Sequence, residues 1–194
     1  MKVIAATGNA HKLKEFREIF PEWEIVSEKQ AGFSGDVEET GTTFEENALI
    51  KARAVCKATG FAALADDSGI CVDALGGAPG VYSARYAGPD ATDADRNQKL
   101  LCELHDTPDE KRTARFVSAI CCAFPDGDEI TVTGVCEGHV ARSPRGEDGF
   151  GYDPIFLVGK KTYAELSPSE KDAVSHRGKA LRQLAERLRE HGYE

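Results

Sequence analysis

The residues with the clearest chemical potential are two acidic pairs, Glu38-Glu39 and Asp66-Asp67, the second followed by Ser68-Gly69. Neighbouring carboxylates at a strand end suit Mg²⁺, a hard cation that prefers oxygen ligands and commonly shares one or two protein carboxylates with substrate phosphates. In a chain with 33 acidic residues, solvated surface and turn positions produce such pairs as well, so they need other support. Thr7-Gly8-Asn9 stands between an apolar run and a helical pattern. There, free backbone N–H groups and the helix dipole can hold an anion, with Lys12 nearby. The spacing is not that of a Walker A loop, and a plain helix cap is the competing use.

Asn47 and Lys51 lie four apart on one side of a predicted helix, either as an exposed pair or directed into a site. Gly146 to Pro154 sets glycines around Phe150 and Tyr152, which lets backbone approach a planar ligand that a ring can stack on. A tight turn whose rings fill the core would use the same residues. Asp153, before Pro154, is expected to offer an acceptor from extended backbone. Lys171 and Ser175-His176-Arg177 collect donors near the start of a last helix, suited to phosphate or a purine carbonyl oxygen, or simply to a solvated basic end. A Ser-His-Asp hydrolase is disfavoured, because the chain has no GxSxG elbow and Ser175 is merely the covalent neighbour of His176.

These residues need a frame to hold them. Val3 to Ala6 reads as a short buried strand, followed by a turn and a helix burying Leu13, Phe16 and Phe20. Thr43 with Glu46 is a capping box, and Phe44, Ala48, Ala52, Val55 and Thr59 share one face of a helix running to Gly60. Ala62 to Ala65 and Ile70 to Val72 read as strand pieces flanking an acidic turn at 66–69. Thr92 to His105 and Ala173 to Glu190 carry helical spacing. Thr113 to Phe124 and Glu129 to Arg142 alternate around Pro125-Asp126-Gly127-Asp128, a hairpin signal. The pattern predicts an α/β class with an antiparallel segment, organised as one domain over 1–194, since no repeat or low-complexity tract is visible.

Composition narrows the function. The formal charge of -9 argues against a nucleic-acid partner, whose binding draws on basic surface. No apolar run approaches the ~20 residues of a membrane span, and Val3 to Ala6 is too short for a signal-peptide core, so a cytoplasmic protein is expected. Six cysteines without CxxC spacing read as reduced core residues. Cys121 and Cys122, on opposite faces of a strand, cannot readily grip one metal.

In order along nearly the whole chain, the motifs resemble the inosine triphosphate pyrophosphatase family, the house-cleaning enzymes for deaminated purine nucleotides. The carrying stretches are Thr7 to Lys12, Glu38 to Gly41 with Phe44 to Ala48, Ala65 to Gly69, Gly76 to Gly80 through Ser83 to Tyr86, Phe150 to Pro154, and Glu170-Lys171 with Ser175 to Arg177. The resemblance implies a long central mixed β-sheet flanked by helices, a homodimer, Mg²⁺ dependence, and hydrolysis of ITP, dITP and XTP to the monophosphate and pyrophosphate.

Carried over position by position, Thr7, Gly8, Asn9, Ala10, His11 and Lys12 would contact the triphosphate, with Lys51 a further phosphate contact. Glu39, or its neighbour Glu38, and Asp67 would bind the metal, and Asp67 would also act as general base. Ser68 would touch substrate. Phe150, Gly151, Tyr152 and Asp153 would enclose the base, and Lys171, His176 and Arg177 would hold base and phosphate. The competing functions are a regulator that binds purine nucleotides without cleaving them, and a pyrophosphatase for other modified nucleotides.

Overall fold

A computed structural model describes residues 1–193. Lys2–Ala5 forms strand β1, three of whose four residues are buried, as expected of a strand covered on both faces. Helix α1, Ala10–Ile19, leads to β2, Glu24–Ser27, and helix α2, Phe44–Thr59, leads to β3, Ala62–Val72. Both β2 and β3 pair parallel to β1, the arrangement that strand-helix-strand crossovers produce. Helix α3, Asp93–Glu103, precedes β4, Thr113–Ala123, and β5, Glu129–Val140; the short β6, Phe156–Val158, and β7, Lys161–Thr162, are followed by helices α4, Pro168–Val174, and α5, His176–Glu190. The strands hydrogen-bond in the order β2-β1-β3-β4-β5-β6-β7. Pairing is antiparallel at β5/β6 and β6/β7, so the sheet is mixed and the predicted α/β class holds.

Contacts divide the chain into two compact units. Among the described residues, the first comprises 1–67, 118–134 and 177–193; the second comprises 68–117 and 135–176. In the first, Phe16 and Phe20 from the α1 region and Leu181, Leu184 and Leu188 from α5 pack with Val3, Ala5, Ala62 and Leu64. In the second, Ile70, Val72, Leu100, Leu104, Phe116, Phe156 and Tyr163 form the centre of a separate core.

Helix α2 begins and ends as its sequence predicts: Thr43 accepts the Glu46 N–H, Glu46 reaches back to the Thr43 N–H, and Gly60 closes the helix in the left-handed region at φ 71°. Three expectations are corrected. Residues 66–69 form no turn, because β3 runs unbroken from Ala62 to Val72 with its carboxylates paired on both faces. The helical spacing from Ala173 onward covers two helices, separated at Ser175, which is extended (φ -67°, ψ 152°) while its N–H bonds the Lys171 carbonyl. Asp153 is not extended either: it opens a 3₁₀ turn, Asp153–Ile155, because its carboxylate folds back onto the Phe150 N–H at 2.9 Å. Strands β2, β6 and β7, of four, three and two residues, carry too little sequence pattern to be anticipated.

All six cysteines are free thiols. Among the described residues, no helix is long and apolar enough to cross a membrane.

Candidate active site

Side chains alternate along a strand, so Asp66 and Asp67, adjacent in β3, face opposite sides of the sheet. On the side of α1 and α5, Asp66 Oδ2 meets Lys12 Nζ at 2.6 Å and Arg177 Nη2 at 3.3 Å. The Ser118 hydroxyl donates to Asp66 Oδ1, and Arg177 Nη1 donates to Glu15 Oε2 at 2.8 Å. Burial would favour the neutral acid, but Arg177, Lys12 and the donated hydrogen bonds outweigh it and hold Asp66 far below the usual carboxylate range. Lys12 is lowered, by burial first and then by the like charges of Arg177 and Lys51, against the pull of Asp66.

On the other side, α2 supplies Asn47 and Lys51. Asn47 Nδ2 donates to Asp67 Oδ2 at 3.1 Å, while its Oδ1 accepts the Gly41 N–H at 2.8 Å. A fully buried amide thus ties the acidic loop at 39–41 to the strand. Gly41 is required there, since a Cβ would stand 2.6 Å from Asn47 Oδ1. Lys51 Nζ lies 3.0 Å from Glu39 and 3.4 Å from Asp67, and donates to the Asp66 carbonyl at 3.0 Å. Burial opposes the charge on Lys51, yet Asp67, Glu39 and Asp66 raise its pKa. Asp67 is raised as well, by burial first, with Lys51 opposing and Glu39 reinforcing. Two adjacent carboxylates are therefore driven in opposite directions, one locked as an anion and one made more basic.

Thr7, Gly8, Asn9, Lys12, Glu39, Lys51 and Asp66 line one cleft of about 330 Å³ in the first unit. Ala10 and His11 are exposed, as is Glu38. Asn9 caps α1, its side chain accepting the N–H groups of His11 at 2.9 Å and Lys12 at 3.3 Å. In this state the cap itself uses those two amides, and the cleft's cationic surface comes from Lys12 and Lys51. Glu28, Asp36 and Val37 also line the cleft; single residues of loop and strand-end segments, they carry no pattern by which sequence could select them. Glu15, inside α1, and Ser118, inside β4, are single polar side chains that no sequence pattern separates from their neighbours.

The second unit gathers the remaining predicted residues. Lys171 Nζ is 2.6 Å from Asp153 Oδ2, 5.1 Å from the centre of the Phe150 ring and 5.5 Å from that of Tyr163. His176 is buried and stacked on Phe116, centroids 4.6 Å apart at 11°. Tyr152 is a core residue whose hydroxyl donates to the Ser83 carbonyl at 2.8 Å, which leaves Phe150 as the half-buried ring of the pair. Ser68 is half-buried in β3. Arg177, expected with Lys171 and His176 to hold base and phosphate, belongs to the first unit and pairs with Asp66 and Glu15.

Among the described residues, no group of three or more His, Cys, Asp or Glu side chains converges as a metal cage. The donor set fits a different mode. Glu39 and Asp67 both reach one ammonium, that of Lys51, so the two carboxylates already converge on a cation. A pair of carboxylates completed by water and substrate phosphate oxygens is how Mg²⁺ usually binds, whereas soft ligands for zinc or copper are lacking at this place.

A fold of this kind, with a cleft lined by two lysines and four carboxylates, defines an α/β protein with a charged polar cleft. The chain belongs to the Ham1 family, whose model matches residues 3–187, in agreement with the resemblance read from the motifs. A protein of Coxiella burnetii named dITP/XTP pyrophosphatase is 50% identical over 195 residues, covering 98% of each chain. One of the same name from Bacillus subtilis is 49% identical over 191 residues, covering 96% of each. A solved structure of a HAM1 protein from Coxiella burnetii matches with a TM-score of 0.90 at 47% identity, over 98% of this chain and 99% of that one.

Proposed function

We propose that the protein is a hydrolase that cuts non-canonical purine nucleoside triphosphates, ITP, dITP and XTP, into the monophosphate and pyrophosphate. The observation that carries this reading is an identity of about half, over nearly the full length of both chains, to relatives named for that activity. In the proposed reaction, the cleft of the first unit takes the triphosphate, with Lys12 and Lys51 facing its phosphates. Glu39 and Asp67 would hold a Mg²⁺ ion, which when bound would neutralise charge on the triphosphate and the departing pyrophosphate. Asp67 takes a proton from water as its oxygen bonds the α-phosphorus and the α-phosphorus–oxygen bond to pyrophosphate breaks. Asn47 orients the Asp67 carboxylate through the bond from its Nδ2 at 3.1 Å.

Selectivity is assigned to the second unit. Lys171, positioned by Asp153 beside the Phe150 ring, and the His176 region supply donors for a purine 6-oxo group, which ATP replaces with an amine; GTP shares that oxygen, so its rejection falls to a pocket that disfavours its 2-amino group. Arg177 acts by fixing Asp66. The chain works as one catalytic domain over 1–194, assembles as a homodimer and acts in the cytoplasm.

The test is a coupled pyrophosphate-release assay with ITP, XTP, GTP, ATP and dTTP, run with Mg²⁺ and with excess chelator. Metal-dependent pyrophosphate from ITP and XTP, with little from the others, is the expected result. Tight nucleotide binding without turnover, or release of single phosphate, refutes the proposal. Sedimentation at micromolar concentration tests the dimer, which a monomer would refute.

A further inference from the structure

The loop that carries Phe150 is held in a way the motifs do not announce. Gly151 sits at φ 62°, in the left-handed region that favours glycine, and both of its backbone polar groups are gripped from one face of α3. Its N–H donates to Asp93 Oδ2 at 2.7 Å, and its carbonyl accepts from Asn97 Nδ2 at 3.1 Å. Asp93 and Asn97 are four apart, hence neighbours on the helix surface. Arg96 completes the device: it pairs with Asp93 Oδ1 and donates through Nη1 to the carbonyls of Ala84 at 3.0 Å and Ala91 at 2.6 Å.

The Asn97 amide is 5% exposed, and its Oδ1 has no hydrogen-bond partner among the described residues. A buried amide with an empty acceptor brings little net stability, because the desolvation of that oxygen offsets the bond made by the nitrogen. What the amide does provide is a donor aimed at one loop carbonyl. The Asp93 carboxylate likewise gives one oxygen to a single loop N–H while Arg96 pairs with the other. The two peptide groups that flank the Gly151 Cα are thus each held at one polar group, the one shared with Phe150 at its N–H and the one shared with Tyr152 at its carbonyl, and with them the direction in which the Phe150 ring leaves the backbone.

We infer that Asp93 and Asn97 are positioning residues for base recognition: by clamping the two backbone polar groups of Gly151 they set the placement of Phe150, and through it the discrimination between purine bases. This rests on the proposed reading that the Phe150 loop meets the base. The two residues touch backbone only and contribute no group to the reacting phosphates, so their effect falls on KM and on base selectivity rather than on kcat.

The experiment compares Asp93→Ala, Asn97→Asp and Asp93→Asn with the wild type, measuring kcat and KM for ITP and ATP by pyrophosphate release. Asn97→Asp keeps the size of the side chain, removes the donor and sets a carboxylate against the Gly151 carbonyl. Asp93→Asn keeps an acceptor for the Gly151 N–H. Expected for Asp93→Ala and Asn97→Asp is a rise of about tenfold in the KM for ITP, the scale of one lost hydrogen bond. Their kcat stays within about threefold, and the ratio of kcat/KM for ITP over ATP falls, with recovery of most of that ratio in Asp93→Asn. If Asp93→Ala does not fold, Asn97→Asp and Asp93→Asn decide the matter alone.

An equal fall for both substrates with the ratio unchanged, or no change at all, overturns the clamp. Failure of the wild type to release pyrophosphate from ITP defeats the functional reading, and this inference with it.

Discussion

Changing each of the two adjacent aspartates to asparagine should produce opposite defects. Asp66 has a fully buried side chain facing Lys12 and Arg177, the latter 3% exposed. Asp66→Asn leaves those two cations without their shared counter-charge, and breaking a buried ion pair from one side costs about 3–5 kcal/mol. Ser118 and one cation can still find the amide oxygen, which places the expected loss near the lower figure. With a denaturant slope of ~1–3 kcal/mol/M in urea, the midpoint should fall by at least about 1 M.

Asp67 is held above the usual carboxylate range by burial, so Asp67→Asn removes a charge its surroundings disfavour while keeping a partner for Lys51. Its stability should change by less than about 1 kcal/mol, whereas turnover of ITP should fall by ~10²–10⁴, the usual contribution of a positioned base. The assays are urea unfolding followed by Trp23 fluorescence, and pyrophosphate release from the same preparations.

The sign of the pH dependence follows from the same geometry. The folded pKa of Asp66 is depressed, so its stabilisation is complete above the unfolded value of about 3.9 and is lost as pH falls toward the folded one. The wild type should therefore lose stability below about pH 4 more steeply than Asp66→Asn. An unmoved urea midpoint in Asp66→Asn would refute the charge-compensation argument, and an Asp67→Asn enzyme within a few-fold of wild-type turnover would refute the base.

Three further outcomes are expected. Glu39 lines the cleft and touches Lys51 while Glu38 is exposed, so Glu39→Gln should raise the Mg²⁺ concentration for half-maximal activity about tenfold, the scale of one charge-assisted contact; a larger effect from Glu38→Gln in the same titration would reverse the assignment. Gly41→Ala should push Asn47 off Asp67, lowering stability by ~1–3 kcal/mol and turnover with it; unchanged melting and kinetics would show that the loop yields freely. Burial pushes the Cys121 thiol up to about 11 and raises that of Cys122, whereas Cys102 is exposed. A thiol reagent at pH 8 should therefore label Cys102 quickly in the native protein and Cys121 and Cys122 only after unfolding, and rapid native labelling of either buried thiol, mapped by mass spectrometry, would contradict this.

How much was legible beforehand depended on where the determining contacts lie in the chain. Helix α2 could be read nearly to the residue because its start and stop signals, Thr43 with Glu46 and Gly60, are local. The centre of β3 could not: Asp66-Asp67-Ser68-Gly69 has turn composition, and what keeps it extended is Lys12 and Arg177, the latter 111 residues away. Among the candidate residues carried by clustered motifs, Thr7, Gly8, Asn9 and Lys12 do line one cleft, whereas Ala10 and His11 are exposed and Tyr152 fills the core. Glu15, Ser118, Asp93 and Asn97 act as single side chains on ordinary helices and strands, and no pattern in the sequence separates them from their neighbours. The break at Ser175 was hidden because neither proline nor glycine marks it.

The alternation of Asp66 and Asp67 also bears on how the chain reaches its native pairing. A slip of β3 by one residue would turn every side chain to the opposite face, presenting Asp67 to Lys12 and Arg177 and leaving Asp66 to Asn47 and Lys51. The apolar residues Leu64 and Ile70 would change sides in the same step, away from the cores they fill. Hydrophobic and ionic preferences thus reject the same error together. A molecule in which the strand has settled wrongly is penalised before any substrate is met, and the placement of Asp67 is proofread by the neighbour on the opposite face.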